Sequence, residues 1–266
     1  MKRPGPVDLS RAVVINVDVQ NAFGAEAASD KLRELRPTEA REIEHAAALS
    51  KAVHQADGVV IVTKDWHSQS GPRLADGQLD QRAESEFQLY GQHALAGSRD
   101  AELNRPLERA VAELEGKEGR ARTVVPVDQY DLTGRLGAQR IIEVHKNVYD
   151  VTKRVDVDGQ TRPHAAFLQT LASLRKQGVT TAILTGKIAE VCVRAAAASI
   201  HELFPDLRII VAEDAVSSMP ARAATALGLS TKEEVMAALE RSGIEVLRTR
   251  ELLPRPAFAL EGLLGQ

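Results

Sequence analysis

Short apolar runs alternate with helix-forming segments along most of the chain. The apolar runs predict strands at residues 12–17, 59–63, 140–144, 180–185, 207–212 and 244–247. The segments between them predict helices at 38–56, 104–114, 162–176, 219–227 and 231–241. Runs that are apolar throughout are typical of parallel strands covered on both faces. The alternation therefore predicts an α/β fold, a three-layer α/β/α arrangement with a mostly parallel central sheet.

The chain length allows one large α/β domain or two small ones, and no linker is visible, so a single domain is predicted. With 266 residues, a single core can extend over residues 1–266. Residues 68–100 form an irregular stretch without convincing periodicity, and its part at about 68–92 is interpreted as an insertion. The tail at about 248–266 contains two prolines and is interpreted as an arm that crosses a neighbouring subunit, so we expect a homo-oligomer.

Charge and cysteine content limit the environment and the partners. A net charge of −3 and a pI near 6.2 give no electrostatic basis for binding nucleic acid or an anionic membrane. One cysteine excludes an intramolecular disulfide and is typical of a reducing compartment. No apolar segment follows the charged N-terminus, and no run approaches the ~18 residues of a membrane span. We therefore expect a cytoplasmic protein with a small-molecule partner.

The only cysteine follows one of the predicted strands. Residues 181–185 end at Gly186, and Cys192 comes six residues later, before an alanine-rich segment that predicts a helix. Backbone N–H groups at a helix N-terminus lower a thiol pKa and can stabilise an oxyanion. Cys192 is thus a candidate nucleophile; the alternative is a small buried core residue.

Two charged residues follow other predicted strands. Asp18 ends the first strand and Lys146 follows the third. Because ligands bind outside the carboxyl ends of parallel strands, both side chains are expected near Cys192. Asp18 would act as the base and Lys146 as the cation beside it, which gives an Asp-Lys-Cys triad. The alternatives are a helix N-cap for Asp18 and a solvated charge for Lys146.

Three further residues predict a metal site. Asp65 and His67 are two residues apart, so they point the same way in an extended chain, and His93 lies in the irregular stretch. One carboxylate and two imidazoles, with open positions for water or substrate, suit Zn²⁺, Fe²⁺ or Mn²⁺. The divalent metal is the only cofactor that we expect. His45, His54 and His201 fall in predicted helices and are interpreted as surface or packing residues.

Together these segments resemble the isochorismatase-like cysteine hydrolase superfamily, and the nicotinamidases within it. Asp18 to Phe23 resembles the first-strand motif Asp-x-Gln-Asn-x-Phe, and Lys64 to His67 resembles the metal motif of the second strand. Residues 90–103 resemble the motif that carries the third metal ligand. Lys146 matches the lysine after the third strand, and Gly186 to Arg194 resembles the nucleophile turn.

The resemblance implies a mechanism and roles for these residues. Cys192 would attack an amide carbonyl, Asp18 would transfer the proton to departing ammonia, and water would hydrolyse the thioester. Lys146 would stabilise the charged cluster. The backbone N–H groups of Ile188 and Cys192 would form the oxyanion hole, with a cis peptide bond between Lys187 and Ile188. The metal on Asp65, His67 and His93 would hold the pyridine nitrogen of nicotinamide, a substrate that belongs to NAD metabolism, and the expected substrate-binding residues are Phe23, Tyr90 and Tyr149.

Several positions differ from the family pattern and leave the substrate open. Tyr90 stands where tryptophan is usual, Lys187 and Ile188 replace a small apolar pair, and only Tyr149 is left of the usual substrate loop, with Lys153 nearby. Another small amide, or a larger aromatic acid derivative held by Lys153 or Lys187, is the alternative substrate. Isochorismatase itself lacks the cysteine, so Cys192 argues against that branch. A catalytically silent member of the superfamily is the third alternative.

Overall fold

A seven-stranded parallel sheet forms the centre of the protein. The computed structural model describes residues 6–24, 27, 29–35, 40–67, 87, 90–119, 121–127, 140–156 and 159–254. In these residues the strands are β1 (Ala12–Val17), β2 (Val59–Asp65), β3 (Thr123–Val125), β4 (Ile141–Lys146), β5 (Lys153–Val155), β6 (Thr161–Pro163), β7 (Thr181–Gly186), β8 (Arg208–Val216) and β9 (Glu245–Leu247). The sheet order is β3-β4-β2-β1-β7-β8-β9, with parallel pairing throughout, and β5 and β6 form a separate antiparallel pair.

Helices cover both faces of the sheet. In the described residues they are α1 (Asp30–Leu35), α2 (Ala40–Gln55), α3 (Arg105–Glu118), α4 (Ala165–Lys176), α5 (Arg194–Leu203), α6 (Ala221–Ala226), α7 (Lys232–Arg241) and α8 (Thr249–Leu252). Apolar residues of α4, α5 and α7 pack on one face, and those of α2, α3 and α8 pack on the other. The predicted three-layer α/β/α fold is confirmed. None of the described helices has both the length and the apolar character needed to cross a membrane.

The central strands β1, β2, β4 and β7 are buried because their sequences are mostly apolar on both sides. All six residues of β1 are buried, and the pairs β1–β2 and β1–β7 place its backbone at the centre of the sheet. The neighbouring strands β4, β2, β1 and β7 have their carboxyl ends side by side. Asp65 is paired with Lys146, and Val17 is paired with Gly186. The sheet therefore brings the polar residues after these four strands to one edge.

One helix begins later than its sequence predicts. The spacing predicts a helix from Arg162 with Pro163 in its first turn, but both residues lie in β6, and α4 begins at Ala165. His164 caps the helix, because its Nδ1 accepts a hydrogen bond from the backbone N–H of Phe167 at 3.2 Å. The pairing of β5 with β6 takes up residues 161–163, and this hairpin and the short edge strand β3 have no counterpart in the predicted elements.

The predicted C-terminal arm lies only partly within the described residues. Thr249 donates hydrogen bonds from its N–H and hydroxyl groups to Asp214 Oδ1, both at 2.7 Å, and Leu252 lies in the core. The start of the predicted arm thus packs on its own chain. Residues 255–266 of that arm and residues 68–86, 88 and 89 of the predicted insertion lie outside the described residues.

Candidate active site

A buried ion pair joins the ends of β1 and β4. Lys146 Nζ lies 2.8 Å from Asp18 Oδ2 and 3.7 Å from Asp65 Oδ1. The side chains of Asp18 and Lys146 have no solvent exposure. Lys146 is therefore not a solvated charge, and Asp18 is not a helix cap in this structure. The ammonium lies within ion-pair distance of two carboxylates at the centre of the sheet edge.

Asp18 is held by its own strand end and by β2. Its backbone has a φ of 48°, its N–H donates to Thr63 Oγ1 at 3.1 Å, and the Thr63 hydroxyl donates to Asp18 Oδ1 at 2.7 Å. Burial raises the pKa of Asp18, even though the nearby Lys146 ammonium favours the charged form. A carboxyl group with a raised pKa is suited to take up and return a proton.

Asp65, His67 and His93 converge on one point. His67 Nε2 and His93 Nε2 lie 3.0 and 3.1 Å from the same oxygen, Asp65 Oδ2, and all three residues are buried. Burial raises the pKa of Asp65, but the charges of His67 and Lys146 more than offset this effect and hold the pKa well below its ordinary range. The structure therefore assembles an ionised carboxylate and two imidazoles as possible metal ligands, as the sequence predicts.

The hydrogen bonding of His93 fits a bound cation. His93 Nδ1 lies 2.8 Å from the carbonyl oxygen of Gly91, which can only accept, so Nδ1 carries a proton. In the neutral ring, the lone pair of Nε2 would face Asp65 Oδ2 directly. A second proton or a metal ion is needed between these two electron-rich atoms. A metal-ligating histidine usually donates its other ring N–H to a carboxylate or a backbone carbonyl, as Nδ1 does here, which leaves Nε2 for the ion.

Gln20 fixes the end of β2, a role that the sequence does not reveal. Its Nε2 donates to the carbonyl oxygens of Asp65 and Ala101, both at 2.9 Å, and its Oε1 accepts the Asp65 N–H at 2.7 Å. The family motif contains this glutamine, which is the only signal that could have indicated it. Phe87, also missed, packs against the rings of His67 and His93 with centroid distances of 4.7 and 5.5 Å.

Cys192 lies in a tight turn after β7. Residues Ala189–Val193 form a single π-helical turn, and α5 continues from Arg194. Cys192 is 7% exposed and lines a pocket of about 320 Å³, a volume that includes the open mouth. Asp65 and His93 line the same pocket. The thiol is therefore buried but faces the cavity that the candidate metal ligands border, and it is not enclosed by aliphatic side chains alone.

Aromatic residues form much of the pocket wall. Phe23, Tyr90 and Tyr149 line it, together with Leu32, Ile188 and Val191. The Phe23 ring meets the His93 ring edge-on at 5.5 Å, and the Tyr90 ring meets it at 6.2 Å. Tyr149 is 45% exposed and lies at the mouth. The pocket is thus small and mostly apolar, with Cys192, Asp65 and His93 among its polar residues.

The nucleophile turn brings two further residues toward the site. The peptide bond between Lys187 and Ile188 is cis. The carbonyl of Ile188 accepts the N–H groups of Val191 and Val193, both at 3.2 Å. Lys187 is fully buried, and its Nζ donates to the carbonyl oxygen of Phe23 at 3.1 Å. The structure places Ile188 in the pocket wall, whereas Lys187 is turned toward a main-chain acceptor.

The remaining histidines mostly serve packing and capping. His54 is buried and lies 2.8 Å from Glu118, His45 contacts the carbonyl of Asp214, and His201 lies on α5. The predicted packing role suits His54. His164 lies 2.8 Å from the carbonyl of His145 through Nε2, and burial lowers the pKa of His164.

Comparisons with known proteins agree with this geometry. Residues 157–249 match the model of the isochorismatase domain family. The matched segment, about a third of the chain, contains β7 and Cys192. The resemblance drawn from the motifs is thereby confirmed at the level of the domain and its fold. No curated protein sequence gives a significant match to this chain.

Solved structures of similar fold cover most of the chain. A nicotinamidase/pyrazinamidase from Bacillus subtilis has a TM-score of 0.58 at 17% identity, with 90% of this chain and 100% of that one covered. An N-carbamoylsarcosine amidase from Thermoplasma acidophilum has a TM-score of 0.53 at 18% identity, covering 90% and 96%. A pyrazinamidase from Pyrococcus horikoshii, in complex with zinc, has a TM-score of 0.51 at 14% identity, covering 90% and 99%. At these identities the likeness establishes the fold.

Proposed function

We propose that this isochorismatase-like protein is a cysteine amidohydrolase that cleaves a small aromatic amide, such as nicotinamide, to the acid and ammonia. One observation carries the proposal: Cys192 lines the same aromatic pocket as Asp65 and His93, and Lys146 links Asp65 to the buried Asp18. The residues proposed as nucleophile, proton carrier, cation and metal ligands thus lie at one sheet edge. The similarity to nicotinamidases and pyrazinamidases supports an aromatic amide.

In the proposed first half-reaction, Asp18 takes the thiol proton of Cys192. The sulfur attacks the amide carbon, the S–C bond forms, and the carbonyl electron pair moves onto oxygen. The N–H groups of Ile188 and Cys192 are the proposed donors to that oxyanion. When the oxyanion collapses, the C–N bond breaks, and the departing nitrogen leaves as ammonia with the proton from Asp18.

In the second half-reaction, water replaces the amine. Asp18 removes a proton from water, the resulting hydroxide attacks the thioester, and the C–S bond breaks. The carboxylic acid is released, and Cys192 regains its proton from Asp18. Throughout, the Lys146 ammonium balances the buried negative charge beside it. Asp65, His67 and His93 would hold a divalent metal, with zinc as the proposed ion, which supplies a Lewis acid to fix the substrate.

Ammonia release tests the proposal. The purified protein, supplied with Zn²⁺, Mn²⁺ or Fe²⁺ in parallel, is incubated with nicotinamide, pyrazinamide and N-carbamoylsarcosine. We expect release from an aromatic amide by the wild type and none by Cys192→Ala or Asp18→Asn. Lys117→Met, on the exposed side of α3, is the matched control and should retain full activity. Equal release by wild type and Cys192→Ala would contradict the proposal.

A carbamoyl compound is the second candidate substrate. The fold match to an N-carbamoylsarcosine amidase is as good in coverage and identity as the match to nicotinamidases. Release from N-carbamoylsarcosine but not from the aromatic amides would favour this substrate. Homo-oligomerisation and a cytoplasmic location stay predictions from the sequence.

A further inference from the structure

Lys187 carries an ammonium group into the interior of the nucleophile turn. Its side chain has no solvent exposure, and its Nζ donates to the main-chain carbonyl oxygen of Phe23 at 3.1 Å. A lysine amine is buried at low cost only where its polar atom has compensating partners, and the Phe23 carbonyl is one of them. A neutral aliphatic side chain would fill the same space without that cost.

Lys187 forms hydrogen bonds to both ends of the segment from Val17 to Phe23, which contains Asp18. The backbone N–H of Lys187 donates to the carbonyl of Val17 at 2.7 Å, and its side chain reaches the carbonyl of Phe23. Between these two points the chain passes through Asp18, with its positive φ of 48°, and enters the 3₁₀ turn Asn21–Phe23. Two hydrogen bonds from one residue therefore attach this segment to the nucleophile turn.

The far end of that segment is a wall of the pocket. The Phe23 ring lines the cavity beside Cys192 and meets His93 edge-on at 5.5 Å. A shift of the Phe23 carbonyl moves the Cα and the ring with it. We propose that Lys187 is a positioning residue: it fixes the Phe23 wall and thereby sets the preference of the pocket for a planar aromatic group.

The observations favour this role over direct binding of a substrate carboxylate. The Lys187 amine donates to Phe23, and Lys187 does not occur among the described residues that line the pocket. The inference rests on the proposed function in one respect, that the cavity beside Cys192 receives the substrate. Its test therefore uses a reaction that needs the pocket but not amide hydrolysis.

Alkylation of Cys192 provides that test, because the chain has one cysteine and a single mass increase reports its modification. Second-order rates are measured with iodoacetamide and with N-benzyl iodoacetamide, and their ratio gives the aromatic preference of the pocket. Lys187→Met removes the donor and shortens the side chain by one atom, Phe23→Leu removes the ring, and the double variant combines them. Lys117→Met is the control for loss of a lysine charge, and thermal melting confirms that each variant is folded.

We expect Lys187→Met to lower the aromatic preference at least about fivefold while the iodoacetamide rate stays within about twofold of wild type. Phe23→Leu should lower the preference similarly, and the double variant should show no further loss, because both changes act on one wall. With an active substrate, Lys187→Met should raise KM for the aromatic amide more than it lowers kcat. If Lys187→Met does not fold, Lys187→Gln, which keeps an N–H donor but is one atom shorter than lysine, should still lower the preference at least about twofold.

An unchanged preference in folded Lys187→Met would overturn the inference, as would additive losses in the double variant. Failure of the proposed function gives a different result. The wild type would then release no ammonia from any amide, while the alkylation ratio would still respond to Lys187→Met.

Discussion

Lys146 Nζ lies 2.8 Å from Asp18 Oδ2, and neither side chain has any contact with solvent. Removing one partner of such a pair leaves an uncompensated buried charge. We expect Lys146→Met to lower the free energy of unfolding by about 3–5 kcal/mol and to abolish activity. Urea denaturation and ammonia release are the measurements.

The double variant Asp18→Asn/Lys146→Met separates stability from catalysis. With both charges removed, we expect most of the lost stability to return while activity stays absent. A double variant that is less stable than Lys146→Met alone would contradict the role of the ion pair described above.

Among the described glycines, Gly186 has the closest contact for an added Cβ, and its replacement should distort the turn that carries Cys192. Its φ is 115°, and a Cβ at this position would lie 2.0 Å from the carbonyl oxygen of Val17. We expect Gly186→Ala to cost more than about 3 kcal/mol, because β1 and β7 would have to separate where the nucleophile turn begins. Gly97→Ala is the control: it also has a positive φ, of 74°, but open space around it, so we expect a cost of about 1 kcal/mol. Equal melting temperatures for the two variants would disprove this account of the turn.

The Asp65, His67 and His93 cluster should bind one divalent ion. Metal analysis after purification should find about one equivalent in the wild type and a strong decrease in Asp65→Ala and His93→Ala. His201→Ala, a histidine on α5, should keep the wild-type content. Because a ligand that binds only the folded state stabilises it, zinc at 100 times its Kd should add about 2.7 kcal/mol to the wild type. The same metal content in all four proteins would show that the cluster binds no ion.

Glu143 gives the folded protein a predictable sensitivity to acid. Burial raises the pKa of Glu143, but a hydrogen bond from His145 and the charges of Lys64 and Arg122 lower it to about 2 from an ordinary 4.5. Ionised Glu143 therefore stabilises the fold above about pH 4.5, and this contribution disappears as the pH falls toward 2. We expect Glu143→Gln to cost about 2–3 kcal/mol at pH 7.

The pH profile of the Glu143→Gln effect is the decisive part of that experiment. Urea denaturation between pH 7 and pH 3 should show the difference from wild type shrinking with acidity. Glu113 is the control, because its pKa is also lowered to about 2 by Lys51 and Lys117, but it lies on the surface, where solvent screens those charges. Glu113→Gln should therefore have a much smaller effect, and a constant difference at all pH values for Glu143→Gln would refute the assignment.

The sequence predicts the sheet edge well because each key residue lies next to a strongly apolar strand. Asp18 and Lys146 follow buried strands directly, and the parallel arrangement brings such ends together. The order of the strands is not predicted by this argument. That β4 pairs with β2, and so places Lys146 beside Asp65, depends on contacts between segments about eighty residues apart.

Most of the features that the sequence does not predict depend on contacts between residues far apart along the chain. The acceptor of Lys187 lies 164 residues away at Phe23, so the sequence shows only a charge in an apolar turn and not its burial. The role of Gln20 likewise depends on backbone groups of Asp65 and Ala101. The wrong start of α4 has a local cause, since the proline rule applied to Pro163 competes with hairpin pairing in β6.

The central claim is that Cys192 forms a covalent acyl intermediate during amide hydrolysis. Rapid acid quench of wild type with an aromatic amide, followed by intact-mass and peptide analysis, measures this directly. The account predicts a transient mass increase of one acyl group located on Cys192, absent in Cys192→Ala. Turnover without any adduct on Cys192, or with undiminished rate in Cys192→Ala, would contradict it.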